Sequence, residues 1–486
     1  MPTDERIPVD LHAVMAAATD VHRDGPLRSA AVRAALLRAI AVALEERANG
    51  LIDAADAETH LGPTRLRGEL TRTKTQLGLF AAILDDGSWA QATIDVGPPD
   101  LRRMMWPIGP VVVFGASNFP FAFATPGGDT ASALAAGCPV VVKAHPAHPE
   151  TAALAASAIE AAILASGLPA GAFAQVTGDV DVGIALVKHR STAAVAFTGS
   201  LTGGRALFDA AASRPEPIPV YAEMGSVNPV FVLPAAMDQR GDSVVAGLAD
   251  SVVLGAGQFC TNPGVVVAVD AGEFAQRLAA ELAARPAAPM LTPVIAANHR
   301  RAVERLRTDP AVEVLAGGPV GSETEGSPGC GLVAAADFVA QPHLRDEVFG
   351  PWTLVVSCRT AAELVQVAEH LDGQLTASVF ADPGDHDLAA ALMAVLPGRA
   401  GRLVWDGVPT GVAVSPAMQH GGPYPASTDA RSTSVGTAAI ARFLRPVAYQ
   451  DWPDAMLPPE LQDANPLGIR RQVGLTITTD PIERVP

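Results

Sequence analysis

Apolar positions recur with two different periods along this chain. In residues 31–44 they fall at Val32, Leu36, Leu37, Ile40 and Leu44, with Arg33, Arg38, Glu45 and Glu46 on the other face. That spacing predicts an amphipathic helix. A second helix is read over 66–84, where Arg67, Arg72 and Lys74 precede Leu77, Leu79, Phe80 and Ile83. Residues 1–90 as a whole read as helical. From Pro107 the pattern changes. Val111–Val112–Val113–Phe114 is a continuous apolar run closed by Gly115, as in a strand buried on both faces. Residues 127–136 suit a helix capped by Asp129 or Thr130. Strands then follow at 140–143, 173–176 and 193–197, and helices at 150–166, 182–188 and 201–213. Strand and helix alternating at this spacing make βαβ units, so the fold class is α/β, with an open parallel sheet covered on both faces.

A second alternating block runs from 228 to about 426 and holds the runs 353–356 and 377–380. Beyond 427 the chain is richer in Pro, Asp and Arg; 443–449 reads as a strand and 450–486 as an extended arm. A chain of 486 residues exceeds one ordinary core. Three units are expected, 1–222, 223–426 and 427–486.

Composition narrows the partners. A net charge of −17 argues against nucleic acid and anionic membranes, which select basic surfaces. Anionic small ligands stay open, since a few local cations suffice for them. The four cysteines, Cys138, Cys260, Cys330 and Cys358, are widely spaced with no CxxC, so neither a disulfide framework nor a metal site is expected. Residues 1–9 are polar and lack the apolar core of a secretory signal, and no apolar run reaches bilayer length. The expected compartment is a reducing cytoplasm.

Candidate chemistry gathers where strands end. Cys260 lies in Gly255-Ala256-Gly257-Gln258-Phe259-Cys260-Thr261-Asn262-Pro263-Gly264, between two apolar runs. A thiol at such a junction is either a nucleophile or a small buried hydrophobe. Asn118, in Gly115-Ala116-Ser117-Asn118-Phe119-Pro120, either caps a turn or aims an amide at a developing oxyanion. Glu223, in Ala222-Glu223-Met224-Gly225-Ser226, is a candidate general base with a raised pKa. Lys143 ends a valine strand, where open sheets bind ligands. Phe197-Thr198-Gly199-Ser200, with Gly203 and Gly204 entering a helix, suits the approach of a phosphate, although the GxGxxG fingerprint is missing. Glu347 is an isolated acid in Asp346-Glu347-Val348-Phe349-Gly350-Pro351.

Each motif is weak alone, but their order along the chain resembles the NAD(P)-dependent aldehyde dehydrogenase superfamily from about residue 30 to 445. The resemblance implies an aldehyde dehydrogenase-like fold: a Rossmann-type sheet, a second α/β catalytic domain and an oligomerisation arm. It implies that Cys260 attacks the aldehyde carbon, that Asn118 and the Cys260 N–H hold the oxyanion, and that Glu223 activates water to hydrolyse the thioester left after hydride transfer. Lys143 and Glu347 would hold the two riboses of NAD or NADP, with Gly199 and Ser200 at its phosphates and Ala116, Ser117 and Phe349 alongside. The segments GQFCTNPG, GASNFPFAF, GSVNPVFVLP, HGGPYPAS (420–427) and STSVG (432–436) look like the α-ketoglutaric semialdehyde dehydrogenase group, which oxidises 2,5-dioxopentanoate to 2-oxoglutarate. That group is close to NADP-dependent fatty aldehyde dehydrogenases, for which Phe119, Phe121, Phe123 and Trp106 would form an apolar tunnel.

Pro146 stands where many NAD-preferring relatives carry a glutamate, so NADP should be accepted. His145 and His148 flank it, as phosphate partners or as plain loop residues. HGGPYPAS replaces the usual late glycine motif and borders the substrate mouth. Phe119, Arg67 and Arg72 are the substrate candidates, the arginines for a distal carboxylate. A homodimer or homotetramer is expected, with 104–107 and 443–449 pairing across subunits.

Overall fold

The structure is a computed structural model that describes residues 10–317 and 322–483. The reading of residues 1–9 lies outside the described residues. Valine runs form the first sheet. Its strands Val111–Phe114, Val140–Lys143, Phe173–Val176, Ala194–Thr198 and Val220–Glu223 are all parallel. In space the order is third, second, first, fourth, fifth. Alternate residues serve opposite faces: Val111, Val113, Val140 and Val142 join the core beneath the N-terminal helices, while Val112, Val141 and Val195 join another. The order reverses between Val111–Phe114 and Ala194–Thr198. A crevice therefore opens beyond their carboxyl ends, where open α/β sheets bind ligands.

The second sheet has seven strands: Val312–Ala316, Gly329–Ala334, Trp352–Cys358, Val265–Val269, Val230–Val232, Gln374–Phe380 and Ala400–Trp405, in spatial order. Only its first pair is antiparallel. Val265 and Val267 face one core, and Val266 and Ala268 the other. A third sheet joins distant parts of the chain: Leu444–Gln450, Leu101–Pro107, Thr93–Asp95, Arg471–Val473 and Thr476–Thr478. Stretches 104–107 and 443–449, expected to pair across subunits, pair with each other inside the chain, Leu444 opposite Pro107 and Tyr449 opposite Arg102. Among the described residues no helix is long and apolar enough to cross a membrane.

Two local expectations are corrected. The helix Gly128–Ala136 is capped by Gly127 without a side-chain bond. Asp129 is instead buried in an ion pair with Arg442 at 2.7 Å, and breaking such a pair costs about 3–5 kcal/mol. Arg33, expected on the solvent face of its helix, is fully buried: it donates to the Ala136 carbonyl at 2.7 Å and stacks on Trp89 at 4.0 Å. A cation with a carbonyl and an aromatic face to satisfy it can turn inward where periodicity alone assigns it to water.

Candidate active site

A cavity of about 710 Å³ lies at the reversal point of the first sheet and extends to the second. Ala116, Ser117, Asn118, Gly199, Ser200, Glu223, Cys260, Glu347 and Phe349 all line it. Lys143 closes its strand half-buried nearby but is not among the lining residues; burial lowers its pKa, and Asp179 pulls the other way. His145 and Pro146 also line the cavity. Burial pushes His145 down to about 3, so its ring is neutral at physiological pH. His148 is fully buried with Nε2 2.9 Å from the Ala116 carbonyl, and serves the strand-end turn.

The turn that carries Cys260 is set by backbone geometry. Gly255, Ala256 and Gly257 all adopt left-handed φ, at 57°, 55° and 66°. For Ala256 that conformation costs about 1–2 kcal/mol. A Cβ at Gly257 would come within 2.2 Å of the Gly350 carbonyl, so glycine is needed for this close approach. Buried Asn228 fixes the far side of the turn, donating from Nδ2 to the Cys260 carbonyl at 2.8 Å and the Asn262 carbonyl at 2.9 Å. The Cys260 N–H has no hydrogen-bond partner among the described residues. Asn118 Nδ2 spends one N–H on the Gln258 carbonyl at 2.9 Å, in the cavity that Cys260 also lines, and keeps its second N–H available.

Glu223 ends a strand of the first sheet and is buried. Burial alone would raise its pKa, but His420, the Ser434 hydroxyl and Arg442 together hold it below the usual carboxylate value. The expected raised pKa is thereby reversed. Ser434 donates to Glu223 Oε2. His420 Nε2 lies 3.1 Å from Glu223 Oε1 and 3.5 Å from Cys260 Sγ. Facing two acceptors, Nε2 is assigned the ring proton; Nδ1 is buried and unpartnered. Burial pushes the Cys260 thiol well above its usual value, Glu223 and Glu347 push the same way, and Arg72 opposes them. The resting thiol is therefore protonated beside an ionised carboxylate.

The sequence reading assigned no role to His420 or Ser434, although it noted both segments that hold them. It named Arg72 but missed the stripe to which that residue belongs on the helix Pro63–Asp85. Arg65, Glu69, Arg72 and Gln76 repeat at helical spacing on its inner face. Arg65 donates to the Asn118 carbonyl at 2.8 Å and stacks on Phe119 and Phe259. Glu69 accepts from the N–H groups of Phe121 and Ala122, and Gln76 pairs with the Gly436 backbone. Arg72 lies over Phe123 at 5.0 Å, and its only hydrogen bond among the described residues is a 3.4 Å contact from Nε to the Val412 carbonyl. Four polar residues in the register that should be apolar were the available signal.

Other substrate candidates separate. Arg67 is exposed and reaches Asn49 at 2.8 Å and Glu45 at 3.7 Å, away from the cavity. Phe119 packs edge-on against Phe123 and Phe259 beside the thiol. Phe121 is fully buried, and Trp106 packs in the core near Arg28, so neither belongs to a tunnel. Burial lowers the Arg402 pKa and a Cys260 thiolate would oppose that; its guanidinium holds the carbonyls of Pro409 and Gly411, in the same loop that Arg72 touches.

The cavity also fits a dinucleotide. Ser200 caps the helix Leu201–Ala212, accepting from the Gly203 N–H at 3.2 Å, so that helix turns a positive end toward the crevice. A Cβ at Gly199 would meet the Phe197 ring at 2.6 Å, which explains the bare backbone there. Thr198 Oγ1 is buried without a partner, and burial raises the Glu347 carboxyl to about 7 against one backbone N–H, from Ser226. An orphan hydroxyl and a nearly bare carboxyl in one cavity are what a sugar diol would satisfy.

Residues 5–434 match the family model described as the aldehyde dehydrogenase family. The chain is 50% identical over 468 residues to α-ketoglutaric semialdehyde dehydrogenase 2 of Azospirillum brasilense, covering 93% of this chain and 88% of the relative. It is 45% identical over 460 residues to α-ketoglutaric semialdehyde dehydrogenase of Acinetobacter baylyi, covering 92% and 87%. Among solved structures, a γ-glutamyl-γ-aminobutyraldehyde dehydrogenase of Burkholderia cenocepacia superposes with a TM-score of 0.77 at 21% identity, covering 91% of this chain and 88% of that one. A glyceraldehyde-3-phosphate dehydrogenase of Methanocaldococcus jannaschii complexed with NADP gives 0.77 at 18% identity, covering 90% and 93%.

Proposed function

The chain belongs to the aldehyde dehydrogenase family, and on that premise we propose that it oxidises 2,5-dioxopentanoate to 2-oxoglutarate with NADP or NAD, through a thiohemiacetal and then a thioester on Cys260. The observation that carries this reading is the cluster of Cys260, His420 and Glu223 facing Asn118, with the little-used guanidinium of Arg72 beyond it. The two relatives quoted from Azospirillum and Acinetobacter support the substrate.

In this reading Glu223, kept ionised by His420 and Ser434, takes the Cys260 proton as the thiolate attacks the aldehyde carbon. The His420 Nε2–H steadies whichever neighbour is negative, carboxylate before the attack and sulfur during it. The Cys260 N–H and the second Asn118 N–H receive the oxyanion, each worth roughly 3 kcal/mol in acyl chemistry. A bound nicotinamide supplies the hydride acceptor. Glu223 then releases that proton to solvent, draws one from the water that attacks the thioester, and returns it to the departing Cys260 thiolate, so that the carboxylate leaves and the thiol is regenerated.

Arg72 anchors the distal carboxylate, and Arg402 steadies the loop that carries Val412. Glu347 takes one ribose diol and Lys143 the other, with the phosphates at Gly199 and Ser200. With proline at 146, no carboxylate opposes a 2′-phosphate, which supports use of NADP. The three units 1–222, 223–426 and 427–486 would then carry most of the cofactor site, the thiol, and three of the five strands of the third sheet. Exposed Leu403 and Trp405 on the edge strand Ala400–Trp405, and Ile477 on Thr476–Thr478, support a homodimer or homotetramer. Four free cysteines suit a reducing cytoplasm.

The competing substrate class is long-chain aldehydes, favoured by the Phe119, Phe123 and Phe259 cluster. A kinetic panel tests both, with NAD and NADP side by side. The expected result is a higher kcat/KM for 2,5-dioxopentanoate than for decanal; the reverse order overturns the substrate assignment.

A further inference from the structure

Cys260, His420 and Glu223 offer sulfur, nitrogen and oxygen ligand atoms that all lie within 4.8 Å of one another. Sγ to Nε2 is 3.5 Å and Nε2 to Oε1 is 3.1 Å. A tetrahedral zinc ion with bonds of ~2.3 Å to sulfur and ~2.0–2.1 Å to nitrogen and oxygen has S···N and N···O edges of about 3.5 and 3.3 Å. Two of the three edges thus match a zinc tetrahedron, and the third, from Sγ to the Glu223 carboxylate, is within 4.8 Å. We propose that the three side chains form a chelating site for a soft divalent cation such as Zn²⁺, which occupies the enzyme reversibly and blocks catalysis by tying the thiol to its base.

Several observations bear on the ion. The donor set is the thiolate, imidazole and carboxylate that zinc accepts, and a mixed set of this kind disfavours Mg²⁺ or Ca²⁺. Ser434 already holds the second oxygen of Glu223, as outer partners of metal ligands do. The fourth corner opens on the cavity that Cys260 lines, so water or the aldehyde oxygen can complete it. Glu223 and Glu347 favour a cation there, and Arg72 opposes one. Binding displaces the Cys260 proton to solvent and shifts the His420 ring proton from Nε2 to the unpartnered Nδ1, and no electron changes hands. The ligands are far apart in sequence, so a search for closely spaced cysteine and histidine pairs does not find them.

The test uses the full-length chain, freed of metal by chelator, and does not depend on which aldehyde is the substrate. Zn²⁺ alone is titrated by calorimetry, and Co²⁺ is added as a spectroscopic probe. One ion per chain is expected, with intense tetrahedral ligand-field bands and a thiolate-to-cobalt charge-transfer band. Zn²⁺ should also slow alkylation of Cys260 by iodoacetamide. Cys260→Ser should abolish the charge-transfer band, and His420→Gln should weaken Zn²⁺ by at least the roughly 10- to 100-fold seen on losing an outer partner. Circular dichroism of both variants confirms that they are folded. Absence of stoichiometric binding, a cobalt spectrum without the charge-transfer band, or equal Zn²⁺ affinity in folded wild type and both variants each overturns the site.

Discussion

The two sides of the Cys260 thiol are built from different material. The cofactor-side wall comes from turns that end neighbouring strands: 115–118, 197–200 and 223–225. Each is a short run whose residues do their work within a few positions of one another. The other side, outside the lining of the cavity and proposed above to meet the substrate, is assembled from one face of the helix Pro63–Asp85 and from the stretch 409–436, which meet across hundreds of residues. Glycines and backbone N–H groups dominate the first wall, and guanidinium groups and aromatic rings the second. Chemistry that every member of a family performs needs fixed backbone geometry, which local sequence encodes. Selection of one aldehyde needs side chains at a distance, which folding brings together.

Substitutions in each wall sharpen this contrast. At the junction, Cys260→Ala should lower kcat by at least on the order of 10⁴-fold while cofactor affinity, read by fluorescence titration, stays within about twofold. Residual turnover close to wild type would contradict the nucleophile. Glu223→Gln should cut steady turnover by roughly 10²- to 10⁴-fold, and a stopped-flow trace should show one equivalent of reduced cofactor before the stall. A trace with full steady-state rate removes the base role.

The substrate wall comes next in size. Arg72→Met loses a charge-assisted contact worth about 1.5–3 kcal/mol, so KM for 2,5-dioxopentanoate should rise about 10- to 100-fold. A neutral aldehyde such as propanal should be nearly unaffected, and an equal loss for both would make Arg72 structural. The smallest effect belongs to the cofactor wall. Glu347 is raised to about 7 by burial, and its ionised form is the one that accepts hydroxyl protons. As pH rises through about 7 the carboxylate forms, so the cofactor KM should fall by about 2- to 10-fold across that window. Glu347→Gln should flatten the profile; an unchanged step assigns the titration elsewhere.

Legibility followed the same division. Valine runs at 111–114 and 140–142 were readable as buried strands because both faces of a parallel sheet are covered. Asn118, Glu223 and Cys260 were readable because each stands at a strand end among small residues. Arg67 and Arg72 were not separable by type. They lie about 140° apart around one helix, and only the packed neighbours decide which faces water. His420 was in a segment noted for departing from the family pattern and Ser434 in one noted for resembling a branch of it, yet nothing local showed that they grip Glu223. Arg33 turned inward for the same reason: its carbonyl partner belongs to another helix.

The sequence by itself determined the alternating α/β architecture, and it named the candidate nucleophile with its candidate base and oxyanion amide and the glycine-rich turns proposed for the cofactor. These depend on periodicity and on backbone demands that act over a few residues. The tertiary structure alone decided that Glu223 is held ionised, that His420 stands between acid and thiol, and which arginine of one helix reaches the site. Those properties depend on desolvation and on distances between remote side chains, which the fold of the chain fixes and its local pattern does not.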